Sequence, residues 1–228
     1  MLGPAVNGIA IIICALAGKF LIRGLPDRFE SIIKTAIGLA VIYIGISGSL
    51  ESKHVMILII SMVVGSILGE WINIEKGMTA LGRWAERRFG FGEGNFAKGF
   101  VAASILYCTG SMAIIGSMQS GLQGNHEMLF AKSVLDGVTA VVFGSTMGIG
   151  VAFSAVPVFL YESAIALGAS SIKDWLTPEI ISEMSAVGSL LIAALGFNFF
   201  EIKEIKVANM IPAIFLPWLF IAIQSAIF

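Results

Sequence analysis

Eight stretches of the sequence carry no charge or almost none, at about 3–22, 35–50, 55–69, 99–118, 128–147, 150–168, 184–200 and 207–228. A helix needs about 20 mainly apolar residues to cross a bilayer. The pattern therefore predicts an all-α polytopic membrane protein with about eight transmembrane helices. Eight crossings use roughly 160 residues of the 228, which leaves short loops and excludes a soluble enzyme held by a single anchor. Only 13% of the residues are charged, against about 25% in a soluble domain. The division between the fifth and sixth stretches rests on Gly144, Gly148 and Gly150.

Orientation follows from Lys and Arg, which collect in cytoplasmic loops. Lys19, Arg23, Arg28 and Lys34 flank the first loop, Lys76, Arg83, Arg87, Arg88 and Lys98 the third, and Lys203 and Lys206 the seventh. Odd loops hold eleven basic residues and even loops two, Lys53 and Lys173, with Lys132 inside a helix. This distribution predicts a multi-pass membrane protein with eight spans and both termini outside. Met1-Leu2-Gly3-Pro4 has no positive n-region, so a cleaved signal peptide is not expected.

The longest loop, 70–98, places Trp71, Ile74, Met78, Leu81 and Trp84 at steps of three and four over about 71–95, with Lys76, Arg83, Glu86, Arg87 and Arg88 mostly off that face. It is expected to form an amphipathic helix lying in the cytoplasmic interface.

An internal repeat is also expected. Gly8-Ile9-Ala10-Ile11-Ile12 resembles Ser111-Met112-Ala113-Ile114-Ile115, Gly18 corresponds to Gly121, Lys34-Thr35-Ala36-Ile37 to Lys132-Ser133-Val134-Leu135, and Gly45 falls near Gly144. Fainter echoes open the last two helices at Gly188 and Lys206. Three helices per copy give an inverted repeat, about 1–70 against about 98–168, followed by a C-terminal helix pair at about 184–228, all in one membrane domain. Inverted repeats recur in secondary transporters, with the site near the midplane and its helices often broken.

The fourth stretch is the most polar and glycine-rich. Thr109, Gly110, Ser111 and Ser117 either permit close helix packing or belong to a discontinuous helix lining a solute path. Lys132 and Asp136 lie four apart on one face of the fifth helix, where they pair or Lys132 reaches the outer interface. Ionisable residues inside a membrane usually face the bundle interior and mark ion or substrate paths, and Asp136 is the first candidate. Glu162 is expected within reach of the exterior surface. Asn7 and Asn209 each sit about a turn inside an apolar run, where an amide hydrogen-bonds across helices. Gly65-x-x-x-Gly69 and Gly144-x-x-x-Gly148 read as packing notches.

No nucleophile elbow, zinc-protease helix or phosphate loop is present. Asp136-Gly137-x-x-Ala140 matches one corner of a phosphatidyltransferase signature, but Ser133 and Val141 stand where Asp and Arg are needed. Neither an enzyme nor a metal or other cofactor is expected. Cys14 and Cys108 lie in apolar runs without disulfide or zinc spacing. The net charge of −1 and the lack of a basic tail argue against nucleic acid.

The string Tyr107-Cys108-Thr109-Gly110-Ser111-Met112-Ala113-Ile114-Ile115-Gly116-Ser117, followed by Gly121-Leu122-x-Gly124, Lys132-Ser133-x-Leu135-Asp136-Gly137 and Val207-Ala208-Asn209-Met210-Ile211-Pro212-Ala213, resembles the YqgA/YdfK family of uncharacterised bacterial inner-membrane proteins. The resemblance extends over nearly the whole chain and brings no established role for Asp136 or Asn209. The expected function is a small-solute or ion transporter, with Asp136, Lys132, Thr109, Gly110, Ser111, Ser117, Asn7 and Asn209 along the path. The alternative is a structural or signalling membrane protein that transports nothing and acts through helix-mediated assembly. The expected partners are the lipid bilayer, a small solute or ion and further copies in a homo-oligomer.

Overall fold

A computed structural model of the chain describes residues 1–21, 27–89, 96–173, 175–200 and 205–227. Arg23 and Lys203, counted above for orientation, lie outside the described residues, as does the end of the predicted interfacial segment, 90–95. The described residues form only helices and the turns between them: α1 (Leu2–Leu21), α2 (Asp27–Ser49), α3 (Val55–Ile72), α4 (Ile74–Phe89), α5 (Phe96–Thr109), α6 (Ser111–Gln123), α7 (Glu127–Met147), α8 (Gly150–Phe153), α9 (Ala155–Ile172), α10 (Pro178–Asn198), a 3₁₀ segment (Val207–Phe215) and α11 (Leu216–Ile227).

Among the described residues, six helical segments are long and apolar enough to cross a membrane: α1, α2, α3, α7, α8 with α9, and α10. The fourth predicted stretch is a bent pair. Its axis turns by 61° between α5 and α6, and it makes a seventh crossing if the pair counts as one. At the bend, Thr109 turns its hydroxyl back to the carbonyl of Ile105 (2.5 Å), and Gly110 is extended at φ −68°, ψ 144°. The final stretch starts as a 3₁₀ helix with Pro212 inside it, and its apolar part, Val207–Ile221, is shorter than a full span.

Local chemistry sets the other ends. Thr177 accepts a hydrogen bond from the Ile180 amide (3.3 Å) ahead of Pro178, which opens α10. Gly148, at φ +75°, ends α7 where a side chain would be strained, so the predicted division between the fifth and sixth stretches falls there.

The helices gather into two compact units, Met1–Lys34 with Met78–Lys173, and Thr35–Gly77 with Asp174–Phe228. In the first, α1 runs parallel to α7. Gly3 lies against Leu129, Gly18 against the Val141 carbonyl and Gly144 against the Ala15 carbonyl. Gly150 at the start of α8 meets Phe96 and Phe100 at the start of α5, while Gly121 near the end of α6 meets the Ala166 carbonyl of α9. The bent pair thus runs alongside α8 and α9, in the same direction.

In the second unit, α2 and α10 are antiparallel, with Gly38 against Phe199 and Gly45 against Ala193 and Ser189. Similarly, α3 is antiparallel to the 3₁₀ segment, with Gly65 against Ala213 and Gly69 against the Asn209 carbonyl. The Gly65–Gly69 notch therefore packs a helix, whereas in the Gly144–Gly148 pair Gly144 packs against Ala15 and Gly148 ends α7. Glu183, also buried, accepts the Ser52 hydroxyl (2.6 Å) and the amides of Lys53 (2.7 Å) and His54 (3.2 Å), which fixes the turn into α3.

Helix α7 explains why this fold belongs in lipid. Its buried side carries Lys132, Ser133, Asp136 and Gly137, and its exposed side Val134, Leu135 and Val138. In water that arrangement is inside out; in a bilayer the apolar side is solvated by acyl chains. The chain is a membrane protein in contact with lipid, and all regular structure among its described residues is helical.

Candidate functional site

Three helices of the first unit bring four polar side chains together. Asn7 comes from α1, Lys132 and Asp136 from consecutive turns of α7, and Glu162 from α9. Asn7 and Glu162 are 0% exposed, Lys132 4% and Asp136 8%. Asn7 Nδ2 donates to Asp136 Oδ2 (3.0 Å) and to Glu162 Oε1 (2.8 Å). Lys132 Nζ donates to Asp136 Oδ2 and lies 3.4 Å from Glu162 Oε1. The four groups close a ring in which an amide and an ammonium each bridge both carboxylates. Lys132 Nζ also sits 5.9 Å from the centroid of the Tyr107 ring, which joins the cluster to the last turn of α5.

Position along the helices places the ring deep in the unit. Glu162 is one residue from the middle of the span Gly150–Ile172, and Asp136 is one residue from the middle of Glu127–Met147. Glu162, expected within reach of the exterior surface, is fully buried and lies ten residues before the end of α9 at Ile172. The missed signal was its central position between Gly150 and Ile172. Asn7 can enter the ring because α1 passes close to α7 along glycines.

The ring leaves acceptors over. Asn7 Oδ1 and Glu162 Oε2 are buried with no hydrogen-bond partner, as are the hydroxyls of Ser117 and Ser163. Ser117 is one turn before Gly121 and Glu162 one turn before Ala166, and Gly121 and Ala166 are in contact. Ser117 is therefore level with Glu162. Thr109 is buried and spends its hydroxyl on Ile105, Gly110 has open space where a Cβ would point, and Ser111 is partly exposed at the start of α6. These three residues form the bend that begins two residues beyond Tyr107.

Asn209 belongs to the second unit. Its Nδ2 donates to Glu70 Oε2 (2.6 Å) and its Oδ1 accepts the Glu75 amide (2.7 Å), while Lys206 Nζ donates to Glu70 Oε1 (2.7 Å). It pins the 3₁₀ segment to the junction of α3 and α4 and takes no part in the ring. No group of three or more His, Cys, Asp or Glu suited to a metal ion occurs among the described residues.

Two carboxylates and one ammonium give the ring a formal charge of −1 when all are ionised. An unbalanced buried charge is costly, and buried acceptors without donors add to that cost. The arrangement is suited to taking up one positive charge.

Known proteins are similar to this sequence over nearly its full length. The chain is 30% identical over 221 residues to the "Uncharacterized membrane protein YdfK" of Bacillus subtilis (strain 168), covering 95% of this chain and 94% of that protein. It has the same identity and coverage with the "Uncharacterized protein YqgA" of Escherichia coli (strain K12). No solved structure matches it. With residues 2–222 also matching the pattern described as "Protein of unknown function (DUF554)", the chain belongs to the DUF554 family.

Proposed function

We propose that the chain is a transporter of a small solute or ion in the bacterial cytoplasmic membrane, with the Asn7–Lys132–Asp136–Glu162 ring as its ion-responsive centre. The observation that carries the reading is the ring's formal charge of −1 in the middle of the spans, beside a bent helix and next to orphaned acceptors. A purely structural cluster gains nothing from that imbalance, since replacing buried ion pairs by apolar residues is often neutral or stabilising. Binding and release of a cation use it directly. The reading assigns no catalytic step to the chain.

The proposal includes eight crossings, both termini outside and α4 lying in the cytoplasmic interface. Packing directions support the count. Parallel α1 and α7 suit a first and a fifth crossing, antiparallel α2 and α10 a second and a seventh, and antiparallel α3 and 3₁₀ segment a third and an eighth. The bent pair runs beside most of α8 and α9, as a full fourth crossing does. At about 2.0 Å per 3₁₀ residue and 1.5 Å per α residue, Val207–Ile227 spans about 36 Å, enough for the hydrocarbon core of about 30 Å. The inverted repeat remains part of the proposal, supported by the paired motifs of the first and fourth crossings.

Purified chain reconstituted in liposomes with entrapped indicators for H⁺, Na⁺ and K⁺ tests the reading. Movement of one of these ions above protein-free liposomes, alone or with a solute, is expected. Silence for all three, with the chain inserted and assembled into a homo-oligomer, favours the assembly role instead.

A further inference from the structure

The two orphaned oxygens of the ring are on two planar groups that already share one bond. Asn7 Nδ2 donates to Glu162 Oε1 at 2.8 Å, and the unpartnered atoms are the remaining oxygen of each group, Asn7 Oδ1 and Glu162 Oε2. An amide and an ionised carboxylate in this relation present two acceptors and no donor between them. A carboxylic acid presents an O–H to the amide oxygen. The second hydrogen of Asn7 Nδ2 is occupied by Asp136 Oδ2, so the amide cannot turn over without losing a bond.

We propose that the ring binds one exchangeable proton on Glu162 Oε2, donated in a hydrogen bond to Asn7 Oδ1. The proton is thus the ion to which the site responds. The proton comes from a hydronium ion of the aqueous phase, which is left as water; its O–H bond is exchanged for one on a lone pair of Glu162 Oε2, no oxidation state changes, and the ring goes from a formal charge of −1 to zero. Lys132 and Asp136 then remain as a neutral pair. Both orphaned oxygens are satisfied by the same hydrogen. The inference deepens the transport reading by naming the ion at the same site, but the binding itself does not depend on transport.

The titratable groups that bear on Glu162 are Lys132 and Asp136 of α7, Cys108 of α5 and Tyr161 on its own helix. On α1 Cys14 lies about two turns beyond Asn7, and α6 and α8 contain no titratable side chain. Lys132 is therefore the one cation among these groups, and Asp136 competes with Glu162 for it.

Infrared spectroscopy of the full chain in liposomes, stepped through pH, tests the proposal. A carbonyl band of a protonated carboxyl group is expected, sensitive to D₂O and lost as pH rises. It should shift on carboxyl-¹³C labelling of glutamate and stay put on labelling of aspartate, a test that needs no variant. Glu162→Gln, which keeps the shape and offers an N–H to Asn7 Oδ1, should abolish the band. Asp136→Asn leaves Lys132 to Glu162 alone and should move the band's loss to lower pH. A band that follows aspartate labelling, or no such band at any pH at which the chain stays folded, overturns the proposal. The glutamate band without ion movement in liposomes supports the proton site while overturning the transport reading.

Discussion

At the scale of single residues, the ring rests on unequal contributions. Among the described residues, Lys132 is the only cation shared by its two carboxylates. Lys132→Met, similar in length but uncharged, leaves them facing one amide, and removing one partner of a buried ion pair costs about 3–5 kcal/mol. Thermal unfolding of the reconstituted chain should show a loss of that order. Asp136→Asn keeps the shape and the capacity to hydrogen-bond and leaves the ring neutral, so it should destabilise much less. An equal loss for both variants would mean that packing, not charge, holds the site.

The residues also show what could be read in advance. Asp136 and Lys132 stood out because their spacing of four puts two charges on one face of an apolar helix. Asn7 was legible as a hydrogen-bonding amide, but its partners were not, because which helix meets which is decided by non-local packing. Glu162 was misplaced for the same reason. Position in the span alone would have moved it inward, but nothing near it in sequence names Asn7 and Lys132 as its partners.

At the scale of elements, charge-free runs mark helices well where the ends are apolar or cap-defined, as α3 and α7 show. They fail where charge lies inside a helix. The seventh stretch is predicted to begin at 184, yet α10 begins at Pro178 behind the Thr177 cap and carries Glu183 inside it, buried against the Lys53 and His54 amides. They also do not locate the bend at Gly110, whose glycine and hydroxyl residues read equally as close packing or as a break.

Glycines now separate by role. A Cβ at Gly18 would meet the backbone of Val141, which cannot move aside as a side-chain tip can, so Gly18→Val should force α1 away from α7 and disturb the ring. Overpacking costs about 1–3 kcal/mol, and the upper end is expected here. Gly110→Ala meets open space at an ordinary φ, so its effect on unfolding temperature should fall within the scatter of surface substitutions. Loss of stability at Gly110 equal to that at Gly18 would refute the distinction.

At the scale of the whole molecule, the eleven-to-two distribution of basic residues and the packing directions lead to the same proposed arrangement. With Cys14 and Cys108 replaced by Ser, single cysteines at Phe29, Thr79 and Ile205 should be shielded from an impermeant thiol reagent applied outside, while those at Ser52 and Trp175 react. Labelling at 205 from outside would require a different number of crossings before the 3₁₀ segment.

The account centres on a buried ring that works by changing its charge. The most direct measurement compares ion movement through the native chain and through Asp136→Asn in liposomes containing equal amounts of correctly assembled protein. The substitution preserves the shape of the ring but leaves Lys132 to Glu162 alone, which holds the carboxylate ionised to lower pH, so the account predicts normal assembly and loss of ion movement at neutral pH. Undiminished movement through the assembled Asp136→Asn chain would contradict it.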